Sequence, residues 1–207
     1  MIIDGYFQRV PAVWHKEIVF ALVNGVEVYG CSSMGALRAA ELHPFGMVGV
    51  GAVFAAYAAG TCEDDDEVAV AHEGADTGYR PTSEPMVNIR HGLSEAVRED
   101  VVTLQEARAL ARSAKDLFYP ERHWETILAS TRYFPERRRD VLRDFLSTAD
   151  VDVKRQDAIA CLSGLRDGVL PAPKASPPPH FEVTESWRLL MATEGEEAML
   201  DIEVNDV

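Results

Sequence analysis

The sequence predicts an α/β protein, with a short parallel sheet in the N-terminal half followed by a helical C-terminal half. Three observations predict it. Short β-branched and apolar runs alternate with helix-like stretches from Ile2 to Ala59, the order that parallel strands with right-handed crossovers require. A turn of small residues, Cys31-Ser32-Ser33-Met34-Gly35, leads from a strand into a helix. Beyond Pro81 the apolar spacing is helical, with prolines at first-turn positions. The strand–helix–strand–helix order makes the sheet Rossmann-like.

Taken in order, Ile2 and Ile3 run straight into Asp4 and Gly5 like the end of a buried strand, so an upstream strand is expected to be missing from this chain. Residues Ala12 to Asn24 read as a helix with Pro11 at its opening and Gly25 as its stop. Val26 to Gly30 reads as a buried strand, and Ser32 or Ser33 caps the helix that runs to Leu42. Gly46, Gly49 and Gly51 lack the dinucleotide spacing and read as turn or close-packing glycines, with no strand directly before them. A small-residue helix from Ala52 to Ala59 follows, then an acidic run from Glu63 to Glu67, then an alternating stretch, Val68 to His72, expected as a strand. Helices are expected from Ser83 to about Asp100, from the Thr103–Glu106 capping box, after Pro120, after Pro135, and from Val153 to about Arg166, where Gly168 closes the last. The core domain is therefore expected over residues 1–168, a proline-rich linker over 169–180 and an acidic tail over 181–207, mobile or loosely docked.

With 207 residues, 47% of them hydrophobic, the chain can bury a real core. Its formal net charge of −14 argues against nucleic acid as the main partner, since phosphate binding needs a concentrated positive field. Much of that charge sits beyond Ala175, where Arg188 stands against eight acidic residues. The three cysteines, Cys31, Cys62 and Cys161, form neither a metal pair nor a disulfide framework. No apolar run reaches membrane-span length, and the start lacks the regions of a signal peptide, so a cytoplasmic location is expected.

The stretch Cys31-Ser32-Ser33-Met34-Gly35 is similar to a nucleophile elbow, with Cys31 in place of the first glycine. A sharp strand-to-helix turn lifts one hydroxyl above the sheet, and the helix start offers free N–H groups to a developing negative charge. In this reading Ser33 is the nucleophile, the Met34 N–H is an oxyanion donor, and Ser32 and Gly35 line the substrate. A plain helix cap and an anion-binding turn fit the same residues. Arg38 and Glu41 share a face of that helix, either as a surface ion pair or with Arg38 clamping a carboxylate or thiocarboxylate. Asp4 and Gly5 follow a strand end and so belong on the crevice rim or in an ordinary turn. His15 is a candidate base for Ser33, oriented by Asp4 or Glu17, or a structural helix residue; His72 is the rival base. Asp64, Asp65 and Asp66, with His72, could hold a hard cation, although such runs are commonly solvated loops. No cofactor is expected.

The stretches I-I-D-G-Y-F, V-P-A-V-W-H-K-E-I, S-S-M-G-A-L-R-A-A-E-L, F-G-M-V-G-V-G and E-D-D-D-E-V-A-V-A-H resemble the TfuA-like core domain and stand in its order from Ile2 to His72. Y-R-P-T-S-E-P-M-V-N-I-R, from Tyr79, and D-V-K-R-Q-D-A, from Asp152, fit as well, so the resemblance covers roughly Ile2 to Arg166. It implies a protein that works beside a YcaO-type ATP-dependent cyclodehydratase in peptide-backbone thioamidation. It also implies hydrolysis of the thiocarboxylated C-terminus of a ThiS-like carrier to release sulfide, that is, acyl transfer to water. The alternative is a non-catalytic adaptor that recruits the carrier to YcaO. The expected partners are thus the YcaO enzyme and the carrier, with no nucleic acid and no membrane, and association into a homo-oligomer stays open.

Overall fold

The computed structural model describes residues 1–4, 12–132, 134–172 and 180–194. The N-terminal half is the α/β part. Helix α1 (His15–Val23) leads to strand β1 (Tyr29–Cys31), helix α2 (Met34–Leu42), strand β2 (Val48–Val50) and helix α3 (Ala52–Ala58). Strand β1 pairs in parallel with β2, placing Tyr29 opposite Val48 and Cys31 opposite Val50. On its other side β1 takes Ile2 in a parallel bridge, through Ile2 N–H to Tyr29 O at 2.8 Å and Cys31 N–H to Ile2 O at 3.2 Å. The N-terminal segment, β1 and β2 thus lie side by side in chain order with β1 central, and a helix connects each step, as the alternating sequence pattern requires.

Three local expectations are corrected. Strand β1 starts later than Val26 because Gly25, at φ +77°, closes α1, and the Val26 N–H turns back to Ala21 O at 2.9 Å. Strand β2 does directly precede Gly51 and contains Gly49. A Cβ on Gly49 would come within 2.1 Å of the Phe54 ring, so the glycine that hides the strand pattern is there to let Phe54 lie on the sheet. The stretch Val68 to His72 forms no ladder beyond a bridge from His72 to Pro81. Its backbone is engaged elsewhere: Val68 O accepts from the Lys154 ammonium at 3.0 Å, and the Ala71 N–H donates to Ser83 Oγ at 2.8 Å.

The rest is helical: α4 (Met86–Arg98), α5 (Leu104–Lys115), α6 (Trp124–Ser130), α7 (Glu136–Thr148) and α8 (Val153–Asp167). The Thr103–Glu106 capping box opens α5, and Gly168 at φ +65° ends α8. Met86, Ile89, Leu93, Leu110, Ile127 and Leu142 centre a core shared by α4 to α7. Helix α8 returns to the α/β part. Its Asp157 carboxylate accepts from the Ala52 and Val53 N–H groups, both at 2.8 Å, and so caps α3. The proline-rich stretch 173–179 and most of the acidic tail lie outside the described residues. The part of the tail that is described docks: from helix α9 (Glu185–Glu194) Trp187 packs on Phe20 of α1 with centroids 5.0 Å apart, and Lys16 donates to Thr184 Oγ1 at 2.8 Å.

The acidic run joins the two halves. Arg122, only 1% exposed, pairs with the Asp66 carboxylate and donates to Asp66 O at 2.9 Å and Ala114 O at 3.1 Å. Lys115 pairs with Asp66 and reaches Asp64 at 3.0 Å and Glu67 at 3.1 Å, and Arg90 grips Glu67 with two hydrogen bonds, at 2.8 and 2.9 Å. Burial pushes the Asp66 and Glu67 carboxyls up, but the hydrogen bonds and charges of these cations outweigh it and hold both below their ordinary values. Their stabilisation is therefore complete well above the ordinary values of 3.8 and 4.5, and it is lost as the pH falls through the lower folded-state values. Replacing Arg122 by Met strands part of this charge and is expected to cost about 3 kcal/mol in a denaturant titration at pH 7. The loss should shrink as the pH falls and the carboxylates protonate.

Candidate functional site

The junction of β1 and α2 is tight. A Cβ on Gly30 would meet Gly35 O at 2.1 Å, and a Cβ on Gly35 would meet Ile2 O at 1.9 Å, so only glycines allow the helix start to lie against the strands. Two amides of this start are tied to the N-terminal segment, Ser33 N–H to Ile3 O at 3.1 Å and Gly35 N–H to Ile3 O at 3.3 Å. Ser33 N–H also bonds Cys31 O at 2.9 Å, closing a three-residue γ-turn around Ser32, which takes φ +70°. A serine in that region is strained, and such strain is held only where its surroundings over-determine it. The Met34 amide, between the two tied ones, finds no backbone acceptor among the described residues.

Ser32 and Ser33 are 4% and 5% exposed. Ser33 does not cap its own helix, and among the described residues neither hydroxyl makes a hydrogen bond. No buried side-chain oxygen among them is an orphan. The two hydroxyls therefore open onto the cavity that both residues line. That cavity holds about 1130 Å³, ample for the end of a peptide chain. Asp4 and Met34 share its wall, as do Asn88, Asp152 and Lys154 from the helical half.

Lys154 was not a candidate in the sequence. It opens α8 and is 8% exposed, with its ammonium donating to Val68 O at 3.0 Å and standing 3.5 Å from the Asp4 carboxylate. Burial pulls its pKa below the ordinary lysine value, while the charge and hydrogen bond of Asp4 oppose this. Glu84, also on the wall, is pushed up by burial and then by the charge of Asp152, with His123 opposing. In the sequence Lys154 lies within the D-V-K-R-Q-D-A stretch at a helix start, but beside exposed Arg155 it reads as part of a solvated face.

The remaining candidates fall in three places. His15, Arg38 and Glu41 form a cluster of their own: His15 Nε2 and Arg38 both sit 2.7 Å from Glu41, and Arg38 donates to Val13 O at 3.0 Å. None of the three lines the cavity. Glu41 lies about 12 Å along α2 from Ser33, at 1.5 Å per residue, so the structure does not bring His15 to the serines. His72 lies on the cavity wall at its exposed mouth; its Nδ1 donates to Glu73 O at 2.7 Å, and its ring meets Tyr79 edge-on. Asp64, Asp66 and Glu67 do converge within 4.8 Å, yet the point of convergence is occupied by Lys115, and His72 is not among them. The acidic run thus takes protein cations where the sequence suggested a metal. Gly5 lies outside the described residues.

This arrangement suits acyl transfer: two serine hydroxyls at a strained turn, a spare helix-start amide and a desolvated amine on one cavity. Cys31 is not a rival nucleophile. Burial, and then Cys161 beside it, push its thiol up to about 12, so it carries no thiolate at neutral pH. Among the described residues no helix is long and apolar enough to cross a membrane. A family model described as TfuA-like protein matches residues 4–123, more than half of the chain. No curated protein matches it. Iodoacetamide at pH 8 is expected to leave Cys31, Cys62 and Cys161, all buried, unmodified in the native protein and to alkylate all three in denaturant, as intact mass would read.

Proposed function

From the premise that the chain belongs to the TfuA-like family, we propose that it serves YcaO-type backbone thioamidation by hydrolysing the thiocarboxylated C-terminus of a small ThiS-like carrier, releasing sulfide. The observation that carries this reading is the cavity wall where two unbonded serine hydroxyls, the Met34 amide and Lys154 stand together. A thiocarboxylate is an anion at the tip of an extended chain. Lys154 and Arg155 stand on the wall beside the carboxyl groups of Asp4, Glu84 and Asp152 and offer it donors, and Val68, Ala69 and Trp124 supply apolar wall for the chain behind the tip.

The chemistry asks for a nucleophile, a proton acceptor and a donor for the oxyanion. A hydroxyl of the Ser32–Ser33 turn attacks the acyl carbon. The Met34 N–H receives the negative charge that develops on oxygen. Sulfur leaves with the electron pair of the C–S bond and takes up the proton that the attacking hydroxyl gives up, departing as HS⁻; water then hydrolyses the resulting ester, restoring the hydroxyl and leaving a carboxylic acid that ionises. No metal is needed for these steps, since sulfide is a far better leaving group than an amine.

The competing reading is an adaptor that only brings the carrier to YcaO. Mixing the purified chain with thiocarboxylated carrier, with no YcaO enzyme and no ATP, separates the two. Catalytic release of sulfide, with the carrier losing the mass difference between sulfur and oxygen, is expected. A carrier that stays thiocarboxylated while binding the chain would leave the adaptor.

A further inference from the structure

We propose that the stretch Val68 to His72 is an unfinished strand edge, and that the C-terminal tail of the carrier completes it by lying along it as an antiparallel strand, tip inward. The proposal rests on the hydrolytic reading above for the identity of the tail. It goes beyond that reading because it assigns how the cavity grips its substrate.

The stretch alternates in sequence as a strand does, yet among the described residues it pairs only through the bridge from His72 to Pro81. Its flanking residues are engaged. Val68 O accepts from Lys154, the Ala71 N–H donates to Ser83 Oγ, and Ala71 O accepts from the Thr82 N–H at 2.7 Å. Ala69 and Val70, between them, are not engaged: neither N–H and neither carbonyl of the two finds a partner among the described residues. Ala69 is only 5% exposed, and Val70 is half-buried. Main-chain groups at such depth are nearly always paired, so a run of open ones marks a place where a partner belongs.

Neighbouring residues of an extended chain present their main-chain groups to opposite sides. Those of Ala71 face the 81–83 segment, so those of Val70 face away from it. The whole stretch lines the cavity. An antiparallel chain entering there can exchange two hydrogen bonds with Val70, one to its carbonyl and one from its N–H. The direction follows from burial. His72 is exposed and Val68 is 4% exposed, so the stretch descends from the mouth to the inner wall. At about 3.3 Å per residue its four steps cover about 13 Å, room for about five residues of tail.

The inner end is also where a C-terminus has to arrive for the proposed reaction, since Ser32, Ser33 and Met34 share the wall with Val68. The carrier's folded body stays outside the mouth, and only its tail enters. Recognition is then by main chain: the tail must be long enough to reach, extended, and free of proline opposite Val70, because proline has no N–H for the Val70 carbonyl to take. Water is the alternative partner of the open groups, and the entering strand displaces it while reproducing its hydrogen bonds.

Docking is read apart from chemistry with the intact ThiS-like carrier in its carboxylate form, which has no sulfur to lose. Dye-labelled carrier is titrated with the purified chain and followed by fluorescence anisotropy. Affinity is expected to fall at least about tenfold for V70P, which lacks the N–H, and to stay close to wild type for V70A, which keeps it. Circular dichroism melts of both variants separate this from unfolding. A second measurement leaves the chain untouched: single tail residues are N-methylated by ligating synthetic tails to the carrier body. Affinity should drop sharply for the residue opposite Val70 and survive methylation of its immediate neighbours. A carrier that does not bind, wild-type affinity in folded V70P, or methylation that is tolerated at every tail position or costs the same at every one would each overturn the strand. Pairing as described in a chain that releases no sulfide from thiocarboxylated carrier would keep the strand and remove the hydrolytic reading. Sulfide release by V70P with kcat/KM at the wild-type value would do the reverse.

Discussion

The structure depends on one close approach. The start of α2 lies against the N-terminal segment with no room for a β-carbon at Gly35 or Gly30. That contact lets Ile3 O take two amides of the helix start, so the strand bridge at Ile2 and the helix are locked to one another within a few residues. It bends the chain hard enough to put Ser32 in a left-handed conformation, and it leaves the Met34 amide between two that are engaged. Packing, strain and a spare donor follow from the same lack of space. Such strain persists only where rigid neighbours enforce it, and here the neighbours are a central strand and a buried helix.

The second organising feature is charge. Five acidic residues in a row would repel one another in an isolated loop. Here Arg90, Lys115 and Arg122, from the helical half, bind Asp64, Asp66 and Glu67 and hold that half against the α/β half. Helix α8 makes the other link. Asp157 caps α3, and one turn earlier Lys154 reaches Val68 and Asp4. The cavity lies between these two links, so its wall is drawn from both halves, with serines from one and the lysine from the other.

Much of this was legible in the sequence. The strand–turn–helix at Cys31 to Gly35, the Thr103–Glu106 box, the Gly168 stop and the parallel order all rest on local residue chemistry, and they stand in the structure where that chemistry puts them. Strand β2 was hidden because Gly49 serves a ring five residues away and so breaks the β-branched pattern. The stretch Val68 to His72 has a strand's alternation, yet its backbone is taken by Lys154, Ser83 and Thr82, contacts that depend on distant segments. The site was half legible. Ser32, Ser33, Met34 and Asp4 share one wall, as residues at strand ends should. His15 is a candidate base in the sequence, but it pairs with Glu41, about 12 Å along α2 from Ser33, and the approach of Lys154 depends on how α8 folds back over a hundred residues later.

The α/β frame, the glycine contact and the cation bracket together present two serine hydroxyls to a half-enclosed cavity with a desolvated amine. In the proposed reaction a hydroxyl of this turn carries the acyl group. The most direct test is sulfide release from thiocarboxylated carrier by the double variant S32A/S33A, with its fold verified by melting. Release is expected to fall at least about 100-fold below wild type. Release at the wild-type rate from the folded double variant would contradict it.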